Sequence, residues 1–162
     1  MSPSKPTIVI IPGSFSVYGA YDPFLALLRA QDFTALAIQL PSTQKRHPQP
    51  PATLQDDAAH VRGVVEQLVA EGGGSEVVVV AHSYGGTVAT EALSGLGVAA
   101  GDEKKGGVRR LVFLSATAPK VGETQVTAMR LEAGFLPAEV VSSFLFVLFL
   151  DLATKNRSKC EM

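Results

Sequence analysis

An α/β fold, with a predominantly parallel sheet and flanking helices, is predicted by three features of this 162-residue chain. Short β-branched, apolar runs end at Pro or Gly; amphipathic segments of helical period separate them; no internal repeat or low-complexity tract interrupts the alternation. Thr7 to Ile11 is apolar on both faces, as a strand buried in a parallel sheet must be, and Pro12-Gly13 stops it. A loop follows, then a helix that Asp22 can cap, with Pro23 in its first turn and Phe24, Leu27 and Leu28 as its buried stripe. Thr34 to Leu40 reads as the second strand, ended by Pro41 and followed by a proline-rich loop to Pro51.

Thr53-Leu54-Gln55-Asp56 has the form of a capping box, and Leu54, Ala58, Val61, Val65 and Leu68 follow at helical spacing until Gly72-Gly73-Gly74. Glu76 to Ala81 is the third strand. The helix after it runs through Thr87, Val88 and Leu93 to about Gly95 or Gly97, and a charged, glycine-rich loop leads to a fourth strand, Arg109 to Ser115. Strands alternating with helices imply right-handed parallel crossovers, and ligands in such sheets bind beyond the carboxyl ends of the strands.

Composition narrows the function. With 46% hydrophobic and 18% charged residues the chain reads as one globular unit over residues 1–162. A net charge of -1 offers no electrostatic case for nucleic acid or an anionic membrane, so a small, roughly neutral ligand is expected. Cys160 is the only cysteine, which rules out an intrachain disulfide or a thiolate metal cluster. Together with an N-terminus lacking a secretory pattern, this leads us to expect a cytoplasmic protein. The apolar run from Val140 to Leu150 is below the roughly 18 residues that span a bilayer, so no membrane span is expected. Neither G-x-x-x-x-G-K-[ST] nor G-x-G-x-x-G occurs, the loop Gly13 to Gly19 included, and no nucleotide, cofactor or metal is expected.

The chemistry is concentrated where Val77 to Val80 run into Ala81-His82-Ser83-Tyr84-Gly85-Gly86. This is G-x-S-x-G with Ala81 in the first glycine position, at a strand-to-helix junction. Such a turn strains its central residue and projects Ser83 above the sheet, with the next helix directing N–H groups toward anything bound there.

On these residues, and on the loop Pro12-Gly13-Ser14-Phe15, the chain resembles the α/β-hydrolase superfamily, in particular its small single-domain esterase-like members. The likeness runs from about Thr7 to Glu123, an incomplete hydrolase core. It implies Ser83 as nucleophile and an oxyanion hole built from the backbone N–H groups of Tyr84 and Ser14. Phe15 is the second choice of donor and a substrate-binding residue. Proline stands where the family often has histidine before the loop's first glycine.

The family's triad runs Ser, acid, His along the chain, yet His47, His60 and His82 all precede Ser83. His82 is expected to pack beneath the turn and His60 to lie beside the apolar stripe of its helix, leaving His47 as the candidate substitute base. Asp102 and Glu103 read as a solvated loop, Glu123 has no histidine to orient, and Asp56 and Asp57 are accounted for by the first turn of their helix. The expectation is a serine hydrolase-fold protein, esterase-like toward a small, largely apolar substrate, weak or inactive in this chain. The alternative is a catalytically silent module for a hydrophobic ligand or a partner.

Residues 124–162 are expected to be the start of a cap or an atypical tail. Glu123 to Ala133 suits the start of a helical cap. The run Phe144 to Leu150 has no polar face; it reads either as a hydrophobic cap helix or as a tail foreign to the fold in a truncated chain. Truncation would leave the fourth strand with a bare edge and invite self-association.

Overall fold

The computed structural model describes residues 5–71, 76–98, 106–120, 122–125, 127–128 and 147–151. The first strand, β1 (Thr7–Ile11), is buried on both faces from Ile8 onward: Val9 and Ile11 join one apolar cluster, Ile8 and Ile10 another. A strand buried on both faces needs helices above and below it. These are α1 (Asp22–Arg29) on one side, and α2 (Leu54–Glu71) with α3 (Gly85–Ala92) on the other. The remaining strands are β2 (Ala35–Ala37), β3 (Glu76–His82), β4 (Gly107–Leu114) and β5 (Val147–Asp151), in the sheet order β2-β1-β3-β4-β5. The first four are mutually parallel.

The larger cluster fills the space between sheet, α2 and α3. Val77, Val79 and Ala81 of β3 meet Val61 and Val65 of α2 and Val88 and Ala89 of α3 there. Val78 and Val80, on the other face of β3, are only half buried. The reciprocal capping box of α2 is present. The Asp56 carboxylate accepts the Thr53 N–H at 2.8 Å, and Thr53 Oγ1 accepts the Asp56 N–H at 3.2 Å. The Thr53 N–H and the Thr53 hydroxyl, which donates to the same carboxylate at 3.0 Å, hold the Asp56 carboxyl below the ordinary carboxylate range, with Arg46 adding a smaller attraction.

Four expectations change. In α1 the buried residue is Leu25, with Tyr21 and Leu28 packed beside it, whereas Leu27 is 68% exposed. The stripe keeps its period but is rotated, because a turn of 3-10 helix over Tyr18–Tyr21 leads into α1 and Tyr21, not Asp22, is its N-cap. The second strand is short, since β2 is an edge strand with a partner on one side only, and the chain from Pro41 turns into a 3-10 helix. At β4, Val77 pairs with Val108 and Val78 with Arg110, so Arg109 is the extra residue of a bulge and ion-pairs with Glu76.

The fourth change lies at the sheet's far edge. Val147–Asp151 is neither helix nor loose tail: it pairs antiparallel with β4 in the register Val112↔Phe149. An apolar run without 3.6-residue period cannot make an amphipathic helix, and β4 offers a row of unpaired N–H and C=O groups that a strand satisfies. The expected bare edge of the fourth strand is thereby corrected, and the sheet's outer edge on this side is β5. Phe144 to Phe146 lie outside the described residues, as do Asp102, Glu103, Cys160 and most of the expected cap helix. At the start of that expected helix, Thr124 Oγ1 accepts the Thr127 N–H at 3.1 Å.

Candidate active site

Strain collects at one edge of the sheet. Phe15 (φ 60°), Ser83 (φ 52°) and Ser115 (φ 44°) follow the carboxyl ends of β1, β3 and β4, and all three hold a left-handed conformation that non-glycine residues rarely adopt. For Ser83 such a conformation costs of the order of 1–3 kcal/mol and persists only where neighbours over-determine it. They do so here. Its N–H donates to the Leu114 carbonyl at 3.3 Å, and its own carbonyl accepts from Gly86 N–H at 3.0 Å and Thr117 N–H at 3.3 Å.

The glycines behind Ser83 leave no room for a side chain. A Cβ on Gly85 would overlap the Ile11 carbonyl oxygen and lie 2.8 Å from that of Pro12; one on Gly86 would overlap the Thr117 carbonyl oxygen and lie 2.9 Å from Ala116 Cβ. The backbone of α3 therefore passes directly against the ends of β1 and β4. In front of the serine, a Cβ on Gly13 would fall 3.1 Å from Ser83 Cβ, which places the loop after β1 against the side chain of Ser83.

That loop is held by a residue that sequence reasoning missed. Gly13 N–H donates to the Tyr21 hydroxyl at 3.0 Å, and the same oxygen lies 2.8 Å from His82 Nδ1, the two rings meeting edge to face. The Tyr21 hydroxyl thus joins the Gly13 N–H to the His82 ring, and His82 packs under the loop as its support. Among the described residues, the N–H groups of Ser14, Phe15 and Tyr84 donate to no protein acceptor, which leaves them available to a ligand. Phe15 projects beside them with 98% of its surface exposed, flanked by exposed Val17 and Tyr18. A periodicity argument had no means of finding Tyr21, whose role depends on a histidine 61 positions away.

The other histidines are elsewhere. His47 and His60 line a shallow groove of about 520 Å³ with Lys45, Arg46 and Gln49, and neither Ser14 nor Ser83 borders it. The structure thus does not bring His47 to Ser83 as a substitute base. Glu123 accepts the Lys120 N–H at 3.1 Å in a local turn. Asp57, expected to serve only its helix, is fully buried: its carboxylate accepts Ser42 N–H at 2.8 Å, Ser42 Oγ at 2.6 Å and the Tyr84 hydroxyl at 3.0 Å. Burial above all, then the hydrogen bond to Asp57 and its charge, raise the Tyr84 phenol above its ordinary value. Among the described residues no group of three His, Cys, Asp or Glu side chains could hold a metal, and no helix is long and apolar enough to cross a membrane.

The alpha/beta hydrolase family model matches residues 8–156, a span that includes the β3–α3 turn with Ser83. The chain belongs to the alpha/beta hydrolase family. The chain is 45% identical over 144 residues to the probable hydrolase R7 of Phoma sp., covering 89% of this chain and 56% of the relative. It is 32% identical over 120 residues to the alpha/beta hydrolase nvfD of Aspergillus novofumigatus, covering 74% of this chain and 46% of the relative. The chain therefore spans about half the length of the curated relatives it matches. Among solved structures it resembles an extracellular alpha/beta-hydrolase from a Paenibacillus species (TM-score 0.56, 23% identity, 86% of this chain and 50% of that one). A polyneuridine aldehyde esterase mutant is also similar (TM-score 0.61, 18% identity, 83% and 50%). At these identities the likeness concerns the fold alone.

Proposed function

We propose that this hydrolase-fold chain carries esterase-like acyl chemistry through Ser83 on a small, largely apolar substrate. The observation behind the reading is Ser83 itself, held left-handed at the β3–α3 turn with the loop after β1 against its side chain. In this reading Ser83 Oγ attacks the ester carbonyl carbon, the carbonyl oxygen takes up the electron pair, and the N–H groups of Tyr84 and Ser14, or of Phe15, receive it. Preorganised amides of this kind are worth about 2.7–4 kcal/mol each to the transition state. Collapse expels the alcohol, and water then releases the acid from the acyl-serine. The exposed rings of Phe15 and Tyr18, with Val17, offer apolar surface to the acyl or alkyl group.

The proton of Ser83 has to go to a base, and no histidine among the described residues reaches it: His82 Nδ1 meets Tyr21, while His47 and His60 line a separate groove. A neutral serine hydroxyl is a poor nucleophile. Loss of the base costs a serine protease about 10⁶-fold, while roughly 10³ to 10⁴ over water survives through the oxyanion hole and binding. We therefore expect this chain, by itself, to be a slow catalyst. The same observation favours a second reading, a silent module that binds a hydrophobic ligand or a partner. Hydrolysis of a short-chain p-nitrophenyl ester separates the two: slow turnover that Ser83→Ala removes supports the first. Turnover that survives Ser83→Ala, or none at all, sinks it.

A further inference from the structure

The esterase-like reading leaves a fully buried carboxylate unused. Asp57 sits in the first turn of α2, where the helix N-terminus favours its charge, and it is solvated by one amide and two hydroxyls, with no cation among its hydrogen-bond partners. An apolar side chain would fill this place at lower desolvation cost, so the polar choice calls for what the donors are. Ser42 lies in the 3-10 turn beyond β2, at the sheet's carboxyl edge; Tyr84 directly follows Ser83. Asp57 therefore ties the turn after β2 and the residue that follows Ser83 to one helix. Five residues along, Arg62 of α2 donates to the carbonyls of Ala92 at 3.1 Å and Ser94 at 2.8 Å, the far end of α3. Helix α2 thus holds α3 at both ends.

We propose that Asp57 is a positioning residue for the oxyanion hole: through the Tyr84 hydroxyl it sets the orientation of the Tyr84 backbone N–H beside Ser83. The proposal rests on the reading of Tyr84 N–H as an oxyanion donor. The backbone bonds of Ser83 hold the turn, and the Tyr84 phenol adds to them a side-chain tie from the start of α3 to α2. The Tyr84 ring packs against the larger apolar cluster and carries that constraint back to its backbone.

Amide exchange and chemical shifts of the full nitrogen-15-labelled chain test this without requiring turnover. In Tyr84→Phe and in Asp57→Asn, the N–H signals of residues 84 and 85 should shift and the Gly86 N–H, bonded to the Ser83 carbonyl at 3.0 Å, should exchange about tenfold faster, while β1 and β3 keep their protection. Ser42→Ala, which leaves the Tyr84–Asp57 bond intact, should move residues 41–43 and leave 84 and 85 in place. Where Ser83-dependent ester turnover is measurable, Tyr84→Phe should lower kcat about ten- to a hundredfold with KM unchanged, the signature of a displaced transition-state donor. Residues 84 and 85 unchanged in Tyr84→Phe would overturn the proposal. So would an Asp57→Asn chain that loses protection throughout while Tyr84→Phe leaves the turn as it was, because Asp57 would then be a structural group only. Failure of the nucleophile reading looks different: no Ser83-dependent turnover, with the amide shifts still present.

Discussion

Gly86 and Gly63 both lie in helices, yet their surroundings give substitution opposite signs. Alanine in a helix interior is favoured over glycine by about 1 kcal/mol. At Gly63 of α2 nothing lies within 4 Å of the added methyl, so Gly63→Ala should raise stability by about 0.5–1 kcal/mol in urea unfolding. At Gly86 the same methyl overlaps a backbone oxygen that belongs to the turn after β4, and overpacking costs about 1–3 kcal/mol. We expect Gly86→Ala to lose about 2 kcal/mol and to disturb the Ser83 turn, which the same unfolding series would show. The G-x-S-x-G pattern made this packing legible in sequence, including the tolerance of Ala81, a fully buried methyl. Tyr21 and Asp57 were not legible, because each acts through a partner brought near by folding: Tyr21 through His82, Asp57 through Ser42 and Tyr84.

Helix α2 is the element best read from sequence, and its capping box carries a direct prediction. Thr53→Ala removes the acceptor for the Asp56 N–H and should cost about 1 kcal/mol of stability, measured by chemical denaturation. The junction of α2 with α3 predicts an alkaline weakness. The Tyr84 phenol titrates higher in the folded chain than when unfolded, through burial first and the Asp57 bond second. Its stabilising contribution is complete below the unfolded value of about 10 and is lost as pH rises through the folded one. Denaturation midpoints should fall as pH is taken above about 10, and Tyr84→Phe should flatten that fall. A midpoint equally pH-dependent in the variant would assign the slope to other groups. Helix α1 shows the limit of pattern reading: Phe24, Leu27 and Leu28 have helical spacing, as do Tyr21, Leu25 and Leu28, and only the angle at which the 3-10 turn delivers the helix selects the second set.

For the molecule as a whole, the two edges of the sheet matter most. One is β2, short and followed by a 3-10 turn; the other is β5, lying antiparallel over β4. A proline in β5 removes a ladder donor and frees the strand, so Phe149→Pro should bare β4 and give concentration-dependent self-association by light scattering. A variant that scatters like the parent chain would show that β5 does not guard that edge. The alternation of apolar runs with amphipathic segments was enough to establish the α/β class, the four parallel strands and the serine at the third turn, since each rests on local period and on Pro or Gly at fixed places. Tertiary structure alone decided what lies around Ser83: which tyrosine joins His82 to the loop, which groove takes the other two histidines, and which carboxylate is buried behind Tyr84. The hydrogen bonds among them join residues 15, 27 and 61 positions apart, and no local pattern encodes a contact whose partners meet only when the sheet has closed and its helices have docked.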